Sequence, residues 1–145
     1  MKEFDVYDCF IFSDELDILK LRFDTLYNVV DRFVIVEGDQ THAGHPKSLH
    51  FRDNLAMFAP YLNKVTHIVV DDFPQTDNPW DREKYQRNAI IRGLNGCDDN
   101  SIVAISDCDE IIDPQALKNY RPEQGIMSFE QTLYYYNMHT TGVEK

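Results

Sequence analysis

Four short apolar runs, separated by polar loops and amphipathic stretches, constrain the fold of this chain more than any other feature. They cover residues 6–12, 33–36, 65–70 and 102–105. The second run is continuous rather than alternating, which is typical of a strand covered on both faces of a sheet. Helical segments fall between the runs, so strands and helices alternate along the sequence. This order predicts an α/β fold with a mainly parallel sheet and helices on both faces.

The segment after the first run has the pattern of a strongly amphipathic helix. Polar residues recur at intervals of three and four, and the opposite stripe consists of Leu16, Leu19, Phe23, Leu26 and Val30. A capping residue and an acidic first turn are expected at Ser13-Asp14-Glu15. Further helices are predicted over residues 53–61 and 80–94. Residues 37–47 and 71–79 are predicted loops, and their length in so small a domain indicates a binding role.

Size and charge limit what the chain can do. With 145 residues, 43% of them apolar, it has material for one packed core, so residues 1–145 are expected to form a single domain. The formal net charge of -11 disfavours contact with nucleic acid or an anionic membrane surface. Residues 1–12 have neither the order of a signal peptide nor the length of a membrane span. Three cysteines without a CxxC pair favour a reducing compartment, so a cytoplasmic location is expected.

Acidic side chains follow three of the predicted strands. Asp39 comes shortly after the second run, Asp71 and Asp72 after the third, and Asp107 and Asp109 after the fourth. In open α/β sheets, ligands bind beyond the carboxyl ends of the strands. A hard divalent cation prefers carboxylate oxygens, and it keeps open positions for phosphate when the protein supplies only one or two of them. The last two carboxylates are therefore a candidate metal or phosphate site, with a solvated turn as the alternative.

Arg87 lies at an unusual position for a charged residue. With about 100° per residue around the predicted helix 80–94, it falls at the centre of the apolar face. Its neighbours on that face are Trp80, Ile90, Ile91 and Leu94. One interpretation is an ion pair with Glu83, one turn earlier, or an aliphatic stem whose charge reaches the surface. The other is that Arg87 contacts a diphosphate or orients the strand-end carboxylates.

Other polar and aromatic side chains are weaker candidates. The amides Gln86 and Asn88 flank Arg87 and are secondary candidates with it. Three histidines share one stretch, but their spacing matches no zinc-ligand pattern, which favours surface positions for His42, His45 and His50. Lys47 is a candidate ligand for phosphate or for an acceptor. The aromatic series Phe129, Tyr134, Tyr135 and Tyr136 is interpreted as a strand that packs in the core.

Taken together, the ordered segments resemble glycosyltransferase family 17, whose best-known members are bisecting N-acetylglucosaminyltransferases. The similarity spans nearly the whole chain, and it rests on the order and intervals of the segments rather than on any single one. The segments are Tyr7-Asp8-Cys9-Phe10, residues 15–17 with Leu19 and Arg22, residues 30–37, residues 41–47, Trp80 with Glu83, Gln86-Arg87-Asn88, and Ser106-Asp107-Cys108-Asp109-Glu110-Ile111.

This resemblance implies a GT-A, Rossmann-like nucleotide-binding fold and transfer of a sugar with inversion. The expected donor is a UDP-sugar, UDP-N-acetylglucosamine in particular, and the expected cofactor is Mn²⁺ or Mg²⁺. Carried over by position, Asp107 and Asp109 correspond to the metal motif, with Asp107 also beside the donor. Glu37 and Asp39 lie where the nucleoside would sit, and Arg87 falls in the helix that faces it.

The resemblance also raises a question about the acceptor side. Family members continue well past the strand near Tyr136, and that later region ordinarily forms much of the acceptor site. An inverting transferase needs a carboxylate base for the acceptor hydroxyl, and Glu130 is the candidate here. The acceptor is expected to be a glycan or another hydroxyl compound, and a second copy or another polypeptide could complete the site.

Two further expectations follow from the length of the chain. The membrane anchor of the eukaryotic family members is missing, which suggests a bacterial or viral source. A non-catalytic nucleotide-sugar-binding or interaction module, derived from such an enzyme by loss of the acceptor half, is the alternative to an active transferase.

Overall fold

A four-stranded parallel sheet forms the centre of the protein in a computed structural model, which describes residues 4–121, 123, 125–126, 133–134 and 141–142. The strands are β1 (Val6–Phe12), β2 (Arg32–Gly38), β3 (Val65–Val70) and β4 (Ile102–Asp107). Their order across the sheet is β3-β2-β1-β4. Cys9 of β1 lies opposite Val34 of β2 and Ile105 of β4. The predicted α/β fold with a parallel sheet is therefore confirmed.

Helices connect the strands. They are α1 (Leu16–Leu26), α2 (His50–Asp53), a 3₁₀ helix at Leu55–Lys64, α3 (Pro79–Asn88), a second 3₁₀ helix at Ala89–Gly93, and α4 (Pro114–Asn119). A pair of two-residue antiparallel strands, β5 (Leu133–Tyr134) and β6 (Thr141–Gly142), lies apart from this sheet. Tyr134 of the predicted aromatic strand lies in β5, whereas Phe129, Tyr135 and Tyr136 fall outside the described residues. In the described ranges, every helix falls short of the length and apolar character that a bilayer span requires.

The two faces of the sheet are packed differently. On one face, α1 and the first 3₁₀ helix cover an aromatic core in which Phe23 contacts Phe33 edge-on, with ring centroids 4.9 Å apart. On the other face, Ala89 and Ile90 of the second 3₁₀ helix pack on a smaller cluster that includes Val34. Helices thus lie on both faces, as predicted. Because this packing fixes the strands rigidly, the loops at their carboxyl ends are held in defined positions.

The helix predicted over residues 80–94 changes type before its end. It becomes a 3₁₀ helix after Asn88, and the tighter winding rotates the following side chains relative to an α-helical pattern. Trp80 and Ile91 are 72% and 71% exposed, so the continuous apolar face predicted for this segment is wrong. Gly93 ends the segment against the sheet, where a Cβ atom would lie 2.5 Å from Val34. The close approach of this turn to β2 therefore requires glycine.

Three other local predictions need correction. Helix α1 begins at Leu16 without a side-chain cap, because the carboxylate of Glu15 accepts hydrogen bonds from the backbone N–H groups of Ser13 and Asp14 instead. The helix predicted over residues 53–61 is replaced by α2 and the first 3₁₀ helix. The apolar character of the fourth run predicts a buried strand, but β4 lies at an edge of the described sheet and Ile105 is 57% exposed.

Candidate functional site

A cleft of about 320 Å³ opens at the carboxyl edge of the sheet. It is bounded by the segments that follow β1, β2 and β4, and by one side of α3. Its lining residues are Ile11, Phe12, Ser13, Glu15, Gly38, Gln40, Thr41, His42, Lys47, Glu83, Gln86, Asp107, Cys108 and Asp109. A cleft at this edge is where open α/β sheets bind their ligands.

The acidic motif predicted to bind metal forms one wall of the cleft. Asp107 is the last residue of β4, and a turn follows in which the N–H of Glu110 donates to the carbonyl of Asp107 at 3.0 Å. The side chain of Glu110 accepts a hydrogen bond from the N–H of Asp107 at 2.8 Å. Asp109 is exposed and makes no hydrogen bond or ion pair within the described part of the chain. The turn therefore presents two carboxylates to the cleft and leaves one of them free.

These carboxylates suit a partial set of metal ligands. In the described ranges, no group of three or more His, Cys, Asp or Glu side chains could hold a metal ion by itself. A cation that also binds phosphate needs only one or two protein carboxylates, and Asp107 and Asp109 supply that number. Cys108, between them, is buried, and burial raises the pKa of its thiol to about 12.

Arg87 contacts the motif directly. Its Nη2 donates to Oδ1 of Asp107 at 3.0 Å and to Oε1 of Glu83 at 3.1 Å. Burial alone would lower the pKa of Arg87, but the hydrogen bonds to Asp107 and Glu83 outweigh it and the pKa lies above its ordinary value. The sequence suggested an ion pair within the helix or a contact with the strand-end carboxylates. The structure contains both contacts at once.

Carboxylates dominate the charge of the cleft. Glu15, Glu83, Asp107 and Asp109 all line it, and Lys47 is the single Lys or Arg among its described lining residues. Burial lowers the pKa of Lys47, although nearby carboxylates, that of Glu37 first among them, partly oppose this effect. The ammonium donates to the backbone carbonyl of Ser48 at 2.8 Å. An anionic ligand would thus meet one partly buried cation and several negative groups.

The loop that carries Lys47 is a tight hairpin rather than an irregular segment. Gln40 and Pro46 form an antiparallel bridge, and the N–H of Lys47 donates to the carbonyl of Asp39 at 2.9 Å. Gly44 at the tip has φ of +89°, a left-handed conformation that favours glycine. The hairpin therefore holds Lys47 at the mouth of the cleft with little conformational freedom.

Two side chains of α3 contact this hairpin, and one of them also contacts β2. Nη1 of Arg82 donates to the carbonyl of His42 at 3.0 Å. Gln86 is buried; its amide donates to the carbonyl of Val36 at 3.0 Å, and its Oε1 lies 3.2 Å from Nε2 of His42. Gln86, a secondary candidate from the sequence, is therefore a cleft residue, whereas Asn88 ends α3 and does not line the cleft.

Glu37 lies beneath the site rather than in it. Its buried carboxylate accepts hydrogen bonds from Nε2 of His67 at 2.6 Å and from the N–H groups of Phe51 and Arg52 at 2.8 and 3.3 Å. Burial would raise the pKa of Glu37, but the hydrogen bonds from His67 and Phe51 outweigh it, so the pKa is lowered. Its side chain does not line the cleft, and its predicted role at the nucleoside stays a prediction.

Asp39 borders a second cleft of about 330 Å³ between the ends of β2 and β3. Lys47 lies at the boundary of the two clefts, and Arg52 and Asp71 line the second one. Oδ1 of Asp39 is buried without a hydrogen-bond partner among the described residues. Its predicted contact with a nucleoside also stays a prediction, and Glu130, the predicted base, lies outside the described residues.

Sequence reasoning named Arg22 in the family resemblance but gave it no role at the site; in the structure it lies beneath the acidic turn. Its side chain is fully buried, and its guanidinium pairs with the buried carboxylate of Asp8 at 2.6 Å. The sequence carries two signals that could have found it. Arg22 interrupts the apolar stripe of α1 beside Phe23, and Asp8 interrupts the apolar run of β1. A buried charge on each of two adjacent elements predicts an ion pair.

The fold and the cleft define a class of protein: an α/β domain consistent with a Rossmann-like fold, with a cleft at the carboxyl edge of its parallel sheet. The sequence pattern of Glycosyltransferase family 17 matches residues 1–139. The chain therefore belongs to glycosyltransferase family 17.

Curated relatives point to the same family. The Beta-1,4-mannosyl-glycoprotein 4-beta-N-acetylglucosaminyltransferase of Homo sapiens is 32% identical over an alignment 107 positions long, which covers 68% of this chain and 20% of that protein. The proteins of the same name from Rattus norvegicus and Mus musculus are 32% and 31% identical over the same length. The chain thus spans about a fifth of the length of these relatives. No solved structure matches the chain significantly.

Proposed function

We propose that this chain forms the donor side of a GT-A glycosyltransferase. It binds a UDP-sugar together with Mn²⁺ or Mg²⁺, and it transfers the sugar with inversion to a hydroxyl group of a glycan or another acceptor. N-acetylglucosamine is the proposed sugar, because the curated relatives are named as N-acetylglucosaminyltransferases. The observation that carries the proposal is the position of Asp107 and Asp109 at the carboxyl edge of the sheet, on the wall of the 320 Å³ cleft.

The charge of the cleft supports a requirement for a cation. Two like charges about 5 Å apart in a partly buried site, with an effective dielectric constant of about 20, repel by about 3 kcal/mol. A diphosphate entering this cleft would meet the carboxylates of Glu15 and Asp109, and those of Glu83 and Asp107, which share the one positive charge of Arg87. The ammonium of Lys47 is the only Lys or Arg charge among the described lining residues. A divalent cation on Asp107 and Asp109 would turn this repulsion into attraction.

The residues of the chain take separate roles in this proposal. Asp107 and Asp109 would hold the cation, which when bound supplies Lewis-acid stabilisation of charge on the leaving diphosphate. Arg87 fixes one oxygen of Asp107 and leaves the other available. Lys47 can donate hydrogen bonds to phosphate oxygens from the opposite wall.

The acceptor side is the open part of the proposal. Transfer with inversion needs a carboxylate that takes the proton of the attacking hydroxyl group, and Glu130 is our candidate. We propose that a second copy of this chain or another polypeptide contributes residues to the acceptor site.

Titration calorimetry with UDP and UDP-N-acetylglucosamine, with and without Mn²⁺, tests donor binding. We expect binding that requires the metal, because the uncompensated carboxylates repel the diphosphate. Equal affinity with and without Mn²⁺, or no binding in either condition, would contradict the proposal. Inorganic diphosphate serves as a control for a purely electrostatic contact.

A second measurement separates an enzyme from a non-catalytic nucleotide-sugar-binding module. Release of UDP from UDP-N-acetylglucosamine in the presence of Mn²⁺ would show turnover. Metal-dependent UDP binding without any release of UDP from the sugar nucleotide would support the module instead.

A further inference from the structure

We infer that Arg22 is a positioning residue for the cation motif: it fixes the turn from Asp107 to Glu110 from its buried side. The inference rests on the proposed function only in taking the turn as the place where a cation binds. The contacts between Arg22 and the turn do not depend on that function. It lies on α1, on the core side of the sheet, while the turn follows β4.

The guanidinium of Arg22 reaches three carbonyl groups of the turn. Its Nη1 donates to the carbonyl oxygens of Asp107 at 2.8 Å, Cys108 at 3.1 Å and Glu110 at 3.0 Å. Three backbone dipoles of one short turn thus converge on one cationic nitrogen. Because the carbonyl groups of the turn are held on the buried side, the side chains of Asp107 and Asp109 can project into the cleft that they line.

The remaining donors of Arg22 anchor it to the rest of the sheet. Its Nε and Nη2 donate to the two carboxylate oxygens of Asp8 at 2.8 and 2.6 Å, and Nη2 also donates to Oγ of Ser106 at 2.6 Å. The guanidinium lies over the ring of Phe10, with Cζ 4.4 Å from the centroid. All three guanidinium nitrogens therefore have acceptors, and the carboxylate of Asp8 in β1 determines the orientation of the guanidinium plane.

Lysine cannot reproduce this arrangement. An ammonium is a point charge with three donors, whereas the planar fork of arginine spans acceptors on two elements at the same time. Arg22→Lys keeps the buried positive charge beside Asp8 but cannot contact both that carboxylate and the carbonyl groups of the turn. The substitution therefore loosens the turn without removing either carboxylate that would bind the cation.

If Arg22 only stabilised the fold, its substitution would not weaken metal binding in the folded protein. A matched core variant separates this structural role from the positioning role. Leu26→Ala truncates a fully buried side chain on the same helix, one turn beyond Arg22, and leaves the acidic turn untouched. Both substitutions are expected to lower the melting temperature. Under conditions where both variants are folded, only the substitution of a positioning residue should change metal binding at Asp107 and Asp109.

The experiment measures Mn²⁺ affinity in the presence of UDP, by calorimetry, for the wild type and the two variants. Removing a group that holds metal ligands in place typically weakens metal binding about 10- to 100-fold, and we expect a loss in that range for Arg22→Lys. For Leu26→Ala we expect a change of less than about twofold, as for a site that the substitution does not touch. Equal affinities in Arg22→Lys and Leu26→Ala would overturn the inference.

Amide hydrogen exchange tests the position of the turn without any metal. The N–H of Glu110 donates to the carbonyl of Asp107 in an exposed turn, so we expect it to exchange through local opening rather than global unfolding. We expect faster exchange at Glu110 in Arg22→Lys and an unchanged rate in Leu26→Ala. If the wild type shows no Mn²⁺-dependent UDP binding, the proposed function fails, and the exchange rate at Glu110 still decides whether Arg22 fixes the turn.

A measurement on the wild type covers the case in which Arg22→Lys does not fold. Mg²⁺ with UDP is expected to shift the NMR resonances of the Arg22 guanidinium. A cation bound to the carboxylates of the turn polarises the backbone carbonyl groups to which Arg22 donates its hydrogen bonds. The resonances of Arg92, which pairs with Asp72 away from the cleft, serve as the reference. Unshifted Arg22 resonances in a protein saturated with Mg²⁺ and UDP would overturn the inference.

Discussion

The guanidinium of Arg87 donates a hydrogen bond to the carboxylate of Asp107 across 3.0 Å, and this contact joins α3 to the end of β4. The same nitrogen pairs with Glu83 one helical turn earlier. One oxygen of Asp107 is thereby fixed, so that a ligand arriving from the cleft meets a carboxylate of defined orientation. Removing Arg87 should therefore affect donor binding more than stability, because both of its ion pairs are partly exposed and such pairs contribute little to the free energy of unfolding.

Arg87→Ala separates these two effects. The Arg87 side chain is 39% exposed and that of Asp107 is 50% exposed, so removing the pair should lower the free energy of unfolding by less than about 1 kcal/mol. UDP binding in the presence of Mn²⁺ should weaken about tenfold, as for loss of a group that orients a metal ligand. Urea unfolding and calorimetry measure the two quantities.

Arg92→Ala is the matched control for this variant. Arg92 pairs with Asp72 with similar exposures, 39% and 54%, but neither residue lines the cleft. We expect a similar small loss of stability and no change in UDP affinity. Equal loss of UDP affinity in both variants would show that Arg87 acts only through the general charge of the protein.

Asp109→Ala should abolish metal-dependent UDP binding and leave the fold intact. Asp109 is exposed and has no partner within the described residues, so its truncation should change the free energy of unfolding by no more than about 0.5 kcal/mol. Asp99→Ala, which removes an exposed carboxylate from the turn before β4, is the control and should bind UDP like the wild type. Unchanged Mn²⁺-dependent UDP affinity in Asp109→Ala would refute its assignment as a metal ligand.

The sequence predicted the elements of the site better than the contacts between them. Strand-end carboxylates such as Asp107 are visible because the apolar runs and their order determine which chain ends meet at one edge of the sheet. The predicted position of Ile91 on the apolar face is wrong because the winding changes from α to 3₁₀ after Asn88, where Gly93 closely approaches Val34. That distance is a property of the packed structure, and no local pattern records it.

Arg22 shows the same limit for the candidate site. A buried arginine and its pairing with Asp8 can be inferred from their places in apolar stretches, but the acceptors in the acidic turn are backbone carbonyl groups, which carry no side-chain signature. The turn that it contacts lies more than 80 residues further along the chain, at Asp107 to Glu110. Only the register of β1 beside β4 brings the two together, and register follows from the packing of the whole sheet.

Gly44→Ala should destabilise the hairpin that carries Lys47. A Cβ atom at this position would lie 2.8 Å from Cζ of Arg82, and φ is +89°. The left-handed backbone alone costs an alanine about 1 kcal/mol, and displacement of Arg82 from the carbonyl of His42 should raise the total to about 2 kcal/mol. Urea unfolding measures this loss, and UDP affinity reports whether Lys47 moves.

Gly125→Ala provides the comparison for the backbone effect. Gly125 also has a positive φ, of +76°, but no atom of the described residues lies within 4 Å of a Cβ atom placed there. It should lose only the backbone contribution, about 1 kcal/mol or less. If the two variants are equally stable, the contact between Arg82 and the hairpin contributes nothing, and the proposed support of Lys47 is wrong.

The buried carboxylate of Glu37 should make the stability of the protein depend on pH in the acid range. Burial disfavours its charged form, but hydrogen bonds from His67 and from the N–H of Phe51 favour it more strongly, so the pKa in the folded state lies below the ordinary value of 4.5. The unfolded state therefore binds a proton at a higher pH than the folded state does. The stabilisation is fully present above about pH 4.5 and is lost as the pH falls through the folded-state pKa.

Glu37→Gln should flatten this part of the stability profile, because glutamine does not titrate. We expect the free energy of unfolding, measured by urea at a series of pH values, to fall less between pH 5 and pH 2.5 in the variant than in the wild type. Leu26→Ala, a core substitution that removes no titrating group, should lose stability at every pH and keep the slope of the wild type. An equally steep fall in Glu37→Gln would mean that other carboxylates carry the acid sensitivity and that the bonds to His67 and Phe51 do not lower the pKa of Glu37.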